Sequence, residues 1–140
     1  VHHSVKSMDW MAGSRQHILE LLITRTLLLA PIYVLGFSKE VIDAYIIIVG
    51  FQAVRNHCNV NVRLGPLRYV IVTPNVHHWH HSLDQEALDK NYAAHFAFPD
   101  YLFGTAVKSD RAWPASYGVL GDYVPDGFFR QLKFPFVWKG

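Results

Sequence analysis

Polar and apolar segments alternate in long blocks along the chain. Residues 1–17 are mostly polar, and the apolar stretch Ile18–Phe37 follows. As a helix, 20 such positions would cover about 30 Å, the thickness of a bilayer core. The stretch is interrupted, however. Glu20 and Arg25 lie near its start, Pro31 predicts a kink, and the charge-free part, Thr26–Phe37, is 12 residues long. Gly36 suits a helix C-terminus, and Ser38 suits the next N-cap, with Glu40 in the first turn. A second apolar helix is predicted over Val41–Val54, with a charge-free part of 11 residues, Ala44–Val54. Runs this short suit half-inserted or buried helices better than two full spans. The pattern therefore predicts a helical hairpin over 18–54 that dips into a membrane. Hydropathy alone leaves a buried hairpin in a soluble protein open.

Beyond the hairpin, Leu64–Val72 fits strand and helix equally well. Thr73-Pro74 is a helix start, with Thr as N-cap and Pro at the first helical position. That helix carries His77–His81. From Ser82 the chain is polar, with prolines at 99, 114, 125 and 135 and glycines at 104, 118, 121 and 127. This part, 82–140, is expected to form a loop-rich cap on the aqueous, cytosolic side.

Composition narrows the function classes. Thirteen Lys+Arg against eleven Asp+Glu give a net charge of +2. Without a dense basic stripe this is too weak to argue for nucleic acid, and no nucleic-acid partner is expected. The single cysteine, Cys58, excludes an internal disulfide framework and a Cys-rich zinc site. A chain that is 51% hydrophobic and 17% charged is not disordered. Its nine histidines stand at 2, 3, 17, 57, 77, 78, 80, 81 and 95. The chain opens at Val1, already inside a motif, so it is expected to be part of a longer protein.

The histidines carry the chemistry. His77-His78-Trp79-His80-His81 contains His-x-x-His-His. On a helix, His77, His80 and His81 share one face, while His78 and Trp79 point elsewhere. His78→Ala is accordingly expected to be close to neutral. Neutral imidazole is the commonest metal-binding side chain, and three on one turn can ligate one or two ions. A solvated surface cluster is the alternative for a single box. Val1-His2-His3 would complete a second such box with a histidine two residues before Val1. His57 sits at the polar end of the second apolar helix, where ionisable groups are functional candidates, and His17 stands at the equivalent start of the first. Two triads plus extra histidines exceed one zinc site, which points to a dinuclear centre. The Glu-x-x-His pairs of ferritin-like di-iron bundles are absent.

These segments together resemble the fatty acid hydroxylase/sterol desaturase superfamily of membrane histidine-box oxygenases. Val1-His2-His3-Ser4 looks like the end of the family's second box. Arg15-Gln-His17-Ile-Leu-Glu20 is similar to its Arg-x-His-Pro-x-Glu segment, with Ile18 in place of Pro. Gln52 to His57 with Asn59 resembles its isolated histidine, and Thr73 to Ser82 its third box. Lys90-Asn91-Tyr92-Ala93 resembles Lys-Asn-Tyr-Gly, and Asp100 to Thr105 its closing motif, with Pro99 where Trp is usual. The tail looks like bacterial members.

The resemblance implies an all-α, membrane-associated protein built on a helical hairpin, histidine-box helices and the C-terminal cap. Residues 1–140 would be a partial domain lacking the first histidine box, and inactive alone. The intact protein would be an iron-dependent oxidoreductase with two Fe. It would use O2 to hydroxylate or desaturate a sterol, fatty acyl or related lipid in lipid biosynthesis. Electrons would come from a reductase, ferredoxin or cytochrome b5-type donor, with the active site on the cytoplasmic face of the membrane. By the same carry-over, His2, His3, His57, His77, His80 and His81 are metal ligands, His17 is an additional candidate, and Asn91 and Asp100 would orient imidazole N–H groups. His78 and His95 are expected to be structural. A zinc-dependent membrane hydrolase and a non-catalytic metal-binding remnant are the rival readings.

Overall fold

A computed structural model describes residues 1–62, 64–109, 111–121 and 123–138. Among these the chain is helical, with five α-helices, short 3-10 turns and two isolated β-bridges.

Helix α1 (Ile18–Val34) starts where His17 caps it, its Nδ1 accepting from the Leu19 N–H at 3.1 Å. Glu20 in the first turn favours the positive end of the helix dipole. The helix continues through Pro31 and stops at Gly36, whose φ of +79° suits glycine. There the Gly36 N–H donates to the Tyr33 carbonyl and the Phe37 N–H to that of Ile32. This pattern closes the orphan carbonyls of the last turn.

Helix α2 (Lys39–His57) is longer than the apolar pattern predicted, by two residues at its start and three at its end. A Lys39–Asp43 ion pair one turn apart supports the start. The polar end stays helical because its side chains find fixed partners. Gln52 donates to the His95 carbonyl, Asn56 to that of Ala94, and Arg55 to that of Val72. His57 thus lies within the helix rather than beyond it.

The two helices follow one another across the Gly36 turn and are in contact, and their apolar side chains are largely uncovered. No residue of α1 is buried. Leu27, Tyr33, Val34 and Leu35 on α1 and Ile47, Ile48 and Phe51 on α2 are among the exposed ones. No helix among the described residues is long and apolar enough to cross a membrane.

Leu64–Val72, open between strand and helix, forms a 3-10 turn at Gly65–Tyr69, then an antiparallel bridge from Ile71 to Phe96. Helix α3 (Pro74–His80) begins as predicted, with Thr73 Oγ1 accepting from the Val76 N–H. It packs against α2. The following segment carries the short α4 (Phe98–Leu102) and α5 (Phe128–Val137). Residues 111–117 fold back onto 82–86: Arg111 bridges Asp84 and Glu86, and Ser82 pairs with Tyr117.

The interior is unusual in its chemistry. Val5, Met8 and Ala12 make a small apolar cluster beside Tyr117. The largest fully buried side chains include His78 and His81. Much of what the fold encloses is imidazole.

Candidate metal centre

Three segments bring histidines to one place. The 3-10 turn His2–Ser4 supplies His2 and His3, the last turn of α2 supplies His57, and α3 with its C-cap supplies His77, His80 and His81. One ring nitrogen from each of His2, His57, His77 and His81 lies within 4.8 Å of the others. Nε2 of His77 stands 3.2 Å from Nε2 of His57 and 3.2 Å from Nε2 of His81. His3 and His80 form a flanking pair, with ring centroids 4.6 Å apart. His3 also stacks on His81 at 4.6 Å, which joins the two groups.

Backbone carbonyls set the tautomers of three rings. Nδ1–H of His57 donates to Ala53 (2.7 Å), that of His2 to Arg15 (3.1 Å) and that of His80 to Lys90 (3.1 Å). Each bond leaves Nε2 with its lone pair free, the state a metal requires. The same carbonyls fix ring orientation.

Burial keeps the site neutral. It pushes His3 down to about 4 and holds His2, His57, His77 and His81 below the ordinary imidazole value, with neighbouring imidazoles adding to the effect. In an unfolded chain these rings would take up protons near 6.5. Acidification therefore charges the unfolded chain first and draws the equilibrium toward it. The metal-free protein should keep its full stability above about pH 6.5 and lose it progressively toward pH 4. A denaturant midpoint that stays flat across that window would contradict this.

The donor set fits a metal ion. Two nitrogens bound to one ion at about 2.0–2.1 Å stand about 2.9–3.4 Å apart at octahedral or tetrahedral angles. The 3.2 Å separations at His77 fall in that range. Without an ion the arrangement is awkward. His57 Nε2 offers a lone pair, and one proton on His77 Nε2 cannot serve His57 and His81 together with good geometry. A cation where the Nε2 atoms converge removes the conflict.

The other expected residues lie outside the cluster. His17 has both nitrogens engaged: Nδ1 caps α1, and Nε2–H donates to the Leu132 carbonyl at 3.0 Å. Among the described residues neither Asn91 nor Asp100 hydrogen-bonds to an imidazole. The Asn91 side chain donates to the Val76 carbonyl and accepts from the Val107 N–H. The Asp100 carboxylate accepts from the N–H groups of Tyr92 and Ala93 and from the Thr105 hydroxyl. They brace the loop whose Lys90 carbonyl holds His80, so they act on that ring through backbone. His95 pairs with Gln52 at 2.9 Å. His78 is fully buried, with Nδ1 2.8 Å from the Tyr117 hydroxyl, so its exchange for alanine is not the neutral change expected from its helical position.

One contributor carries no chemical group. A Cβ at Gly13 would stand 3.0 Å from Nδ1 of His57 and 3.1 Å from the Ala53 carbonyl oxygen. Both atoms belong to the bond that orients His57. Gly13→Ala should displace that ring and weaken metal affinity by about 10–100-fold, as loss of an orienting partner does. Metal titration of the intact protein measures it, and unchanged affinity would show that the close approach does not matter.

The chain is similar to known proteins along its length. It is 34% identical to the ornithine lipid hydroxylase OlsE of Rhizobium tropici over 140 residues, all of this chain and 42% of that protein. It is 33% identical to an alkylglycerol monooxygenase of Danio rerio over 89 residues, 59% of this chain and 19% of that one. The chain thus spans less than half the length of these curated relatives. No solved structure matches it. The fatty acid hydroxylase family model matches residues 1–105, the stretch holding every histidine of the cluster and the loop that braces it. The imidazole cluster is thus built wholly from family sequence, and the chain belongs to the fatty acid hydroxylase family.

Proposed function

We propose that the six clustered histidines hold two iron ions in the intact protein, and that this centre hydroxylates a membrane lipid with O2. The observation that carries the reading is the convergence of four imidazole nitrogens within 4.8 Å, from buried His57, His77 and His81 and half-buried His2. His2, His57, His77 and His81 would hold one ion. His3 and His80 would contribute to the second, and its remaining ligands would come from outside these 140 residues, so this chain alone would not turn over. The family is one of non-haem iron enzymes. Bound iron would supply O2 activation for attack on an unactivated C–H bond. The protein's own part is to present unprotonated nitrogens, to orient them through the carbonyls of Arg15, Ala53 and Lys90, and to keep the site dry.

A lipid substrate follows from the surroundings. Helix α2, the second helix of the apolar hairpin, ends at His57, so a chain lying along it would meet the centre without entering bulk water. The names of the relatives favour hydroxylation over desaturation and an amphiphilic lipid with a polar head. An electron-donor protein of the reductase, ferredoxin or cytochrome b5 type would supply two electrons per turnover. We place the hairpin in the membrane, with the centre and the cap, 82–140, on its cytoplasmic side.

Isotopically labelled O2 tests the reaction. Turnover by the intact protein with a reductant should place one labelled oxygen atom in the lipid product. Label arriving from water, or turnover without O2, would favour a zinc-dependent hydrolase instead.

A further inference from the structure

We propose that α5 is an interfacial anchor that lies in the surface of an anionic bilayer and fixes how deep the protein sits. This rests on the hairpin being membrane-inserted.

The sequence of α5, Phe-Phe-Arg-Gln-Leu-Lys-Phe-Pro-Phe-Val, separates its two characters. Phe128, Leu132 and Phe136 recur every fourth residue, and Phe129 lies beside them, so the four share one arc. Among the described residues most of that arc is uncovered: Phe128, Phe129 and Phe136 are 72%, 75% and 72% exposed, and Leu132 between them is 37% exposed. Phe134 turns the other way and packs with Tyr123 and Trp138. Arg130 and Lys133, both exposed, lie outside the arc. Apolar aromatics on one side and cations on the other suit the boundary between acyl chains and anionic headgroups. Ten residues span about 15 Å, so the helix lies in the surface rather than crossing it.

Position supplies the second argument. Nε2–H of His17 donates to the Leu132 carbonyl, and His17 is the N-cap of α1. The middle of α5 is therefore tied to the polar mouth of the hairpin, at the depth where a bilayer surface would lie. The exposed apolar arc of α5 and the exposed apolar residues of α1 then belong to one membrane-facing surface. The engagement of both His17 nitrogens serves this junction.

Fluorescent labels on single cysteines in the intact protein test it, in a background with Cys58→Ser and any other cysteines replaced. The probe membranes are vesicles of phosphatidylcholine with phosphatidylglycerol. A label at Phe129→Cys should be shielded from aqueous iodide and quenched by lipids carrying a spin label just below the headgroup. A label at Arg130→Cys should remain open to iodide. Removing phosphatidylglycerol, or adding Arg130→Gln with Lys133→Gln to the Phe129→Cys protein, should release the 129 label, by about fivefold in partition per cation. Equal iodide quenching at 129 and 130 overturns the proposal. So does shielding at 129 that needs no vesicles and grows with protein concentration, because a second copy would then cover the arc. A label at Leu28→Cys separates the two readings. Leu28 shielded with 129 open sinks only the anchor, whereas Leu28 open sinks the inserted hairpin.

Discussion

Truncating His81 to alanine should empty the whole centre of metal. His81 is 1% exposed, and its Nε2 lies 3.2 Å from that of His77. Its ring also stacks on His3 and stands within 5.4 Å of His2, His57, His77 and His80. Of the four-nitrogen group it makes the closest ring contact with the His3–His80 pair and touches both of its members. Loss of an orienting partner alone costs about 10–100-fold in metal affinity, and loss of a buried ligand should exceed that. His3→Ala and His80→Ala remove rings on one side only, so each should leave the four-nitrogen group loaded. Metal content of the intact protein after dialysis against a chelator distinguishes them. His81→Ala should retain none, and His80→Ala about half. Full retention in His81→Ala would remove this cluster as the metal site.

His78→Ala should fail in a different way, by unfolding. Its ring has no exposed surface, its Nδ1 meets the Tyr117 hydroxyl at 2.8 Å, and Trp113 packs at 4.5 Å between centroids. Truncation leaves a cavity and strips the Tyr117 hydroxyl of its partner. Together these cost about 2–4 kcal/mol. A domain of this size is stable by only about 5–15 kcal/mol, so the thermal midpoint should fall by many degrees. Protein that remains folded should still load metal, because the ring faces away from the cluster. Chemical denaturation alongside metal analysis checks both halves. Loss of metal without loss of stability would put His78 in the centre.

The two adjacent histidines mark where sequence reading reached and where it stopped. The spacing of His77, His80 and His81 shows that they share a helical face, and the Thr73-Pro74 start shows where the helix begins. The hairpin was equally plain, because Gly36 and Ser38 punctuate two apolar runs. What spacing cannot show is what lies on the opposite face. His78 faces Tyr117 and Trp113, which come from a loop some forty residues away without periodic pattern. The orienting partners were illegible for another reason. They are the carbonyls of Arg15, Ala53 and Lys90, and every residue has a carbonyl. Asn91 and Asp100 come from the family resemblance as groups that orient imidazoles, and their side chains bond to backbone and to Thr105. Gly13 gave no signal, since its role is to have no side chain. His17 looked like its fellow histidines, but its nitrogens are spent on the start of α1 and on Leu132. The extra helical turn at the end of α2 was missed because its polar side chains need partners from residues 72, 94 and 95, which only the folded chain brings near.

The function of the protein depends on what the imidazole cluster holds. Metal analysis with Mössbauer spectroscopy on the intact protein, purified from cells supplied with iron, tests this most directly. It should give two irons per chain with the signature of a magnetically coupled pair. Zinc in their place, or a single uncoupled iron, would contradict the account.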